Sequence, residues 1–367
     1  MGKMAVVRPL EIPPGRRALV VSDIHGALPL LKGALAKAKF TRDDILIVLG
    51  DMMERSEGSL DVLHYVMELS RTHTVHTILG NCDNVTLAFF DREEKLPDPF
   101  YRHWFARFGE RCALVKMAHM AGVSLDDPQT WPAARAALER AFAPELAFLR
   151  GLPHILINDD YLLVHGGVPR EDGLTGLSSF DVMKNDDFLG QGHGFQRWVI
   201  VGHWPVTLYR EDIPSAAPII LEDRHIVSID GGATLKLDGQ VNVLILPPEP
   251  GGAFTWVGED GFPTVTALDR QAPSADPINV RFAHSDVEVL EKGEELSLCR
   301  HVESGRVLWV LTEFLRRRAD GSVWCEDSTD YLLPVEPGDS LSLVRKTLRG
   351  VLVKKDGVTG WYQGRYR

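Results

Sequence analysis

Five short apolar runs in this chain each deliver a metal-competent side chain. Ala18–Val21 runs into Ser22-Asp23-Ile24-His25-Gly26, and residues 44–49 run into Gly50-Asp51. Residues 75–79 lead to Gly80-Asn81-Cys82-Asp83, Tyr161–Val164 to His165-Gly166-Gly167, and Trp198–Val201 to Gly202-His203. Residues two apart on an extended chain point the same way, so Asp23 and His25 face one site. A carboxylate oxygen beside an imidazole nitrogen suits a borderline divalent ion such as Mn, Fe or Zn. One Asp-x-His is weak evidence, and a lone His165 or His203 is more often structural. Five strand ends with Asp, Asn or His beside a glycine point instead to one shared site.

The elements that must position these residues follow from the same runs. Nearly continuous apolar stretches of this length are the pattern of strands buried on both faces. Ligand sites in α/β sheets lie at the carboxyl edge, where all five side chains would emerge. The ordered blocks Asp-x-His, Gly-Asp, Gly-Asn, His-Gly-Gly and Gly-His resemble the calcineurin-like metallophosphoesterases, over residues 17–247. The resemblance is closest to the bacterial phosphoprotein-phosphatase branch. Its further marks are Glu54-Arg55 after Gly50-Asp51, the 148–153 segment before His165, Gly202-His203-Trp204-Pro205-Val206, and Ile229-Asp230-Gly231-Gly232.

That resemblance implies an α/β fold, a layered metallophosphoesterase β-sandwich flanked by helices. It implies two divalent metal ions, one held by Asp23, His25 and Asp51. The second would be held by Asp51, Asn81, His165 and His203, with Asp51 bridging. The implied activity is that of a metal-dependent phosphatase on a phosphoprotein or small phosphorylated metabolite, by in-line attack of a metal-bridging hydroxide. Two metals about 3.5–4 Å apart acidify a bridging water and clamp a phosphoryl group for such attack. Arg55, four residues after Asp51, is placed to hold phosphate oxygens bidentately. For the second phosphate-binding arginine of this branch, Arg170 and Arg197 are both candidates.

The third block departs from the phosphatase pattern. Those enzymes have Gly-Asn-His-Glu there, and that histidine protonates the leaving group. This chain has Cys82 and Asp83, with Glu54 standing where the family has the Asp that orients the histidine. A thiol of ordinary pKa, about 8.5, is a poor substitute acid. Gly-Asn-Cys-Asp resembles a phosphodiesterase-type branch, so a phosphodiesterase or nucleotide hydrolase on the same centre stays open. His193, in Gly192-His193-Gly194, is the candidate replacement acid. A degenerate binding scaffold is the third reading, and six intact ligand positions argue against it.

Composition bounds the rest. The 367 residues carry a net charge of −11 with 44% hydrophobic and 25% charged residues, an ordinary globular balance of about two domains. The acidic field argues against a nucleic-acid partner, since phosphate backbones need a basic one. Cysteines 82, 112, 299 and 325 show neither zinc spacing nor disulfide density. No apolar run reaches the ~20 residues of a membrane span, and no signal-like N-terminus is seen. The expectation is a cytoplasmic protein.

Along the chain, the spacing of apolar residues predicts helices over 27–38 and 59–70. Residues 92–150 read as a helical, aromatic-rich insertion over the metal edge, and 171–197 as a long loop. Residues 1–270 are taken as the catalytic domain, with 253–268 as a hairpin or last strand pair. Residues 278–367 read as short strands and turns, a small C-terminal β-barrel (SH3-like) domain that binds a protein partner or positions substrate. Strands are expected near 286–290, 295–301, 306–312, 331–333, 340–345, 350–354 and 360–362. Asp356-Gly357 marks a hairpin turn.

Overall fold

The apolar runs fold as strands of two sheets, and in chain order the elements are these. β1 is Val7–Pro9, β2 Ala18–Val21, α1 Leu28–Lys37, β3 Ile45–Val48, α2 Ser59–Thr72, β4 Thr74–Thr77 and α3 Asn81–Phe90. Next come α4 Asp98–Phe108, α5 Ala113–Ala121, α6 Trp131–Ala141 and α7 Ala143–Arg150. Then follow β5 Ile155–Ile157, β6 Tyr161–Val164, α8 Ser179–Met183, β7 Trp198–Val201, β8 Ile219–Leu221, β9 Ile226–Ser228, β10 Val241–Ile245 and β11 Thr255–Glu259. The computed structural model describes residues 3–91, 96–249 and 251–367. Residues 92–95 of the expected insertion lie outside the described residues.

The chain divides into two compact units. The first comprises Met1–Trp204, Pro218–Leu235 and Val241–Glu259. Its sheets run β11-β10-β2-β3-β4 and β1-β5-β6-β7-β9-β8. β2, β3 and β4 are mutually parallel, and so are β6, β7 and β9. In each trio the carboxyl ends therefore share one edge.

Alternation along the strands builds the layers. Val20, Ile45 and Ile47 share a buried cluster with Leu163, Ile200 and Val227 of the other sheet. Leu19, Val21, Leu46 and Val48 point the opposite way, onto Leu31 and Leu35 of α1 and Leu60, Leu63 and Val66 of α2. Fully burying each such side chain is worth roughly 1.5–3 kcal/mol. This two-sided burial is why the strands read as unbroken apolar runs. The insertion α4–α7 adds Tyr101, Trp131 and Leu146 to the helix-side cluster. Its aromatics interlock, with Phe89 5.1 Å from Tyr101 and 5.7 Å from Trp131, centroid to centroid. No helix of the described residues is long and apolar enough to cross a membrane.

The second unit comprises Pro205–Ala217, Lys236–Gln240 and Asp260–Arg367. It holds only small antiparallel sheets. β12 (Thr264–Thr266) joins β20 (Ser340–Thr347), β21 (Gly350–Lys355) and β22 (Val358–Tyr362) in one. β13 (Asn279–Val280) pairs β19 (Ser328–Thr329), β14 (Val287–Glu291), β15 (Leu296–His301) and β16 (Val307–Leu311) form a meander, and β17 (Leu315–Arg317) pairs β18 (Val323–Cys325). Asp356 and Gly357 turn the β21–β22 hairpin with φ of 50° and 79°. Positive φ at both central residues is what the favoured hairpin turn demands.

Two strand expectations fail here. Residues 253–268 are not one strand pair, because β11 joins β10 while β12 joins β20. The Asp260 side chain closes a tight turn onto the Phe262 amide, and Gly261 follows a φ of 72°. Residues 331–333 form only an isolated bridge, Leu332 to Trp361. Pro334 follows and has no N–H to extend the ladder.

One buried side chain helps to tie the segment Pro205–Ala217 into its unit. Asn279 Nδ2 donates to the carbonyls of Thr207 and Arg210, both at 2.9 Å, and its amide donates to the Glu211 carbonyl. Asn279→Ala is expected to orphan two buried acceptors and cost about 1–3 kcal/mol, read as a lower urea midpoint with unchanged m-value.

Candidate metal centre

The carboxyl ends of the parallel strands bring the predicted side chains together through unusual backbone. Asp23, His25, Asp51 and His203 all have left-handed φ, at 52°, 48°, 50° and 68°. Such conformations cost about 1–3 kcal/mol each and persist only where the surroundings enforce them. Here the enforcement is hydrogen bonding between strand ends. The amides of Ile24 and His25 both donate to the Asp51 carbonyl, at 3.0 and 2.9 Å. The amide of His203 donates to Asp23 Oδ2 at 2.9 Å.

The glycines make this approach possible. A Cβ on Gly80 would lie 2.2 Å from both the Asp51 amide nitrogen and its Oδ1. A Cβ on Gly202 would lie 2.3 Å from Asp23 Oδ2. Strand ends bearing any larger residue there could not close on one another.

Asp51 sits at the middle. Its Oδ1 accepts from the Cys82 amide at 2.8 Å and faces His165 Nε2 at 3.4 Å. Its Oδ2 faces His25 Nε2 at 3.8 Å, and Asp23 Oδ1 lies 3.8 Å from that same nitrogen. His25 Nδ1 lies 3.2 Å from the Met53 carbonyl and His165 Nδ1 lies 2.7 Å from the Leu49 carbonyl. These Nδ1 contacts turn both Nε2 atoms inward, the usual orientation of metal-binding imidazoles. Asn81 Oδ1 completes the second cluster, 3.1 Å from His165 Nε2. Ligand atoms of His25, Asp51 and Cys82 lie within 4.8 Å of one another, and so do those of Asp51, His165 and His203. The two sets share Asp51.

The donors fit divalent ions. Asp23 Oδ1 and Asp230 Oδ2 are buried polar atoms with no hydrogen-bond partner. Buried acceptors left unpaired are costly, and a bound cation satisfies them. The electrostatics agree. Burial, followed by the charge of Asp23, pushes the Asp230 carboxyl well up. Burial alone would raise Asp51 too, but His165 holds it far below the usual carboxylate range. His165, despite burial, is pushed up to about 10 by Asp51 and Asp23. Burial outweighs the same carboxylates at His25 and lowers it. Carboxylates crowded this closely call for positive charge, which two divalent ions supply.

The remaining sequence candidates are placed unequally. Arg55 is half-buried beside Cys82 and stacks its guanidinium 5.8 Å over the Phe108 ring, with Nε lacking an acceptor. Cys82 is buried, and burial with the charge of Asp51 pushes its thiol well above the ordinary value. Asp83 accepts from the amides of Met53 and Gly80, so its carboxylate closes the start of α3 and braces the loop after Asp51. His193 packs with tilted ring against Phe188 and Phe195, which also contact each other, and bonds Gln191. Arg170 bonds the Asp172 carbonyl, and Arg197 bonds the Asn158 carbonyl and faces Glu171. Arg197 precedes β7, at the opposite end of that strand from His203.

Three residues at the site are absent from the sequence reading as site residues. Asp230 follows β9 just as Asp51 follows β3, with Gly231 behind it, and the strand-end pattern could have found it. Lys184 and Asp186 meet at His203, with Asp186 Oδ1 2.7 Å from Nε2. They lie in an irregular loop and carried no such signal. Glu54 has a different task from the one its position suggests. Its oxygens accept from Trp104 Nε1 at 2.8 Å and the Ala113 amide at 3.0 Å. It ties the insertion to the metal-edge loop and is not left to orient a histidine at position 82.

A family model for calcineurin-like phosphoesterases matches residues 16–229, more than half of the chain. The chain belongs to the calcineurin-like phosphoesterase family. This is a family of metal-dependent phosphoric ester hydrolases. Among curated relatives, the symmetrical bis(5'-nucleosyl)-tetraphosphatases of Salmonella paratyphi B and Salmonella typhimurium are 42% identical over 72 residues, 19% of this chain and 25% of theirs. The chain thus spans about a quarter of the length of those relatives. Among solved structures, a putative diadenosine tetraphosphatase aligns at TM-score 0.41 and 17% identity, covering 70% of this chain and 98% of its own. A Saccharomyces cerevisiae protein serine/threonine phosphatase aligns at 0.39 and 12%, covering 71% and 84%.

The buried Glu54 yields a pH-dependent prediction. Burial pushes its carboxyl up to about 7 from the usual 4.5. A raised carboxyl pKa contributes stability that is present below pH 4.5 and lost as pH rises through 7. Glu54→Gln carries a constant penalty, because its amide nitrogen opposes an N–H donor, but no titration. The unfolding free energy of the variant relative to the parent is therefore expected to rise between pH 4.5 and 8, measured by urea titration.

Proposed function

We propose that this calcineurin-like phosphoesterase is a dinuclear-metal phosphatase on a phosphoprotein or a small phosphorylated metabolite. The observation that carries this reading is the single carboxylate, Asp51, shared by two sets of ligand atoms. Asp23, His25 and Asp51 would hold one divalent ion, Mn, Fe or Zn, and Asp51, Asn81, His165 and His203 the other. Two such ions supply Lewis acidity, an activated water and neutralisation of charge on the transferring phosphoryl group. Arg55 then holds phosphoryl oxygens through its guanidinium. Asp186 and Lys184 orient His203 from outside. The second unit is assigned a non-catalytic role, as an SH3-like module that positions substrate or binds a protein partner. A cytoplasmic setting accords with four free, buried cysteines.

A second reading, hydrolysis of phosphodiesters or nucleotides on the same centre, is favoured by position 82. Cys82 is buried with a raised thiol pKa, Glu54 is committed to the insertion, and His193 is held among Phe188, Phe195 and Gln191. None of the three is arranged as a general acid. Bonds whose leaving groups depart without a proton suit such a site. The symmetrical bis(5'-nucleosyl)-tetraphosphatases among the relatives are named for a nucleotide substrate.

Aryl phosphate hydrolysis is expected to vanish on chelation and return with Mn. Asp51→Asn should reduce kcat/KM more than the roughly 10–100-fold typical of residues that only support a ligand. Lys37→Ala, whose amine pairs with Glu259 on the surface, should stay near the parent. Chelator-indifferent turnover overturns the reading.

Leaving groups give the second test. General acid catalysis is typically worth about 10²–10⁴-fold, so its absence should show as a steep dependence of kcat/KM on leaving-group pKa. Nitrophenyl esters should far outpace alkyl or seryl phosphates. A flat dependence that turns steep in His193→Ala would identify His193 as the acid.

A further inference from the structure

Three arginines gather around one aromatic ring beside the metal-edge loop. The guanidinium carbons of Arg55, Arg107 and Arg111 lie 5.8, 5.4 and 5.8 Å from the centroid of Phe108. Arg55 belongs to the loop after Asp51, whereas Arg107 and Arg111 bracket the end of α4. Glu54, adjacent to Arg55, bonds Trp104 one turn before Phe108, so the two segments are pinned together. Trp104 in turn packs 4.6 Å from Phe108.

No carboxylate among the described residues is within ion-pairing distance of any of the three guanidiniums. Glu110, the acidic residue between Arg107 and Arg111, is turned to His119 at 3.2 Å. Arg111 is oriented by the carbonyls of Phe108 and Arg107, which take its Nε and one terminal nitrogen. Arg107 is exposed, and Arg55 is half-buried with an unpaired Nε. Three mutually repelling cations held against one ring, in a chain of net charge −11, form a local positive field at the site's edge. Cys82 and Asp51 act on the charge of Arg55, whereas Arg107 and Arg111 meet the ring and, for Arg111, backbone carbonyls, and ring contacts alone reward a cation modestly.

We infer that Arg107 and Arg111 form a distal phosphate subsite, continuous with Arg55, that takes a second phosphate group of the substrate. This rests on the phosphoesterase reading above and deepens it. The scissile phosphate lies at the metal centre against Arg55, and a further phosphate on the same molecule reaches the guanidiniums across Phe108. The planar forks match phosphate oxygens, and Arg111 is already ordered for the task by its backbone bonds. Substrates with one phosphate fill the inner position only, so the subsite selects for doubly or multiply phosphorylated molecules.

The test is calorimetric titration of the metal-loaded protein with a methylene-bridged triphosphate, which cannot be cleaved, and with methylphosphonate. The parent is expected to bind the triphosphate at least tenfold more tightly. Arg107→Ala/Arg111→Ala should lose at least tenfold in triphosphate affinity and less than threefold for methylphosphonate. Arg107→Gln, which leaves the Arg111 bonds untouched, should lose at least threefold for the triphosphate. A triphosphate affinity unchanged in both variants, or equal affinities in the parent, overturns the subsite. Chelator-sensitive aryl phosphate hydrolysis, measured on the same preparations, judges the underlying phosphoesterase reading separately.

Discussion

The structure of the first unit depends on one buried carboxylate being held between strand ends that cannot relax. Asp51 accepts two amides on its backbone carbonyl and one on its side chain, and faces two histidines from opposite oxygens. Its left-handed backbone, like that of Asp23, His25 and His203, stores strain that the parallel sheets enforce. That strain and the unpaired buried oxygens of Asp23 and Asp230 are two unfavourable terms at this edge. Both are offset by the large apolar layers on either side and, in the loaded protein, by cations. A rigid edge is what a dinuclear site needs, since ligand geometry must not depend on substrate.

Around that edge the protein adds a second layer made by the insertion. Its aromatic cluster extends the helix-side core rather than lining an open cleft. Its link to the metal edge is the buried Glu54, accepting from Trp104 and Ala113. The residue next to it, Arg55, is proposed to hold phosphate. On that proposal, one loop after Asp51 couples three tasks: metal binding, anchoring of the insertion and anion binding. Changes in the insertion would then reach the proposed phosphate position through that loop.

Position 82 is where this chain departs from the phosphatase pattern read from the sequence. The amide of Cys82 serves the shared carboxylate whatever its side chain is. The side chain itself faces Arg55 and the metal ligands, in burial that disfavours ionisation. That backbone contact is thus independent of the side chain at 82, while the choice of leaving group is proposed to depend on it.

Much of this was legible in the sequence because period and burial coincide. Strands buried on both faces must be apolar throughout, so β2, β3, β6 and β7 announced themselves, and with them the side chains at their carboxyl ends. Asp356-Gly357 announced its hairpin because only such residues accept positive φ in succession. What only tertiary structure decided were partners distant in sequence. Glu54 looked like a support for position 82, but a tryptophan 50 residues away claims its carboxylate. Arg197 stood near His203 in sequence, yet a strand separates them, and its charge answers Glu171. Lys184 and Asp186 reach His203 from a loop with no periodicity to place them. Local pattern fixes which residues reach an edge, since backbone geometry repeats over two or four residues. Which neighbour neutralises which charge depends on how separate segments pack, and no local period encodes that.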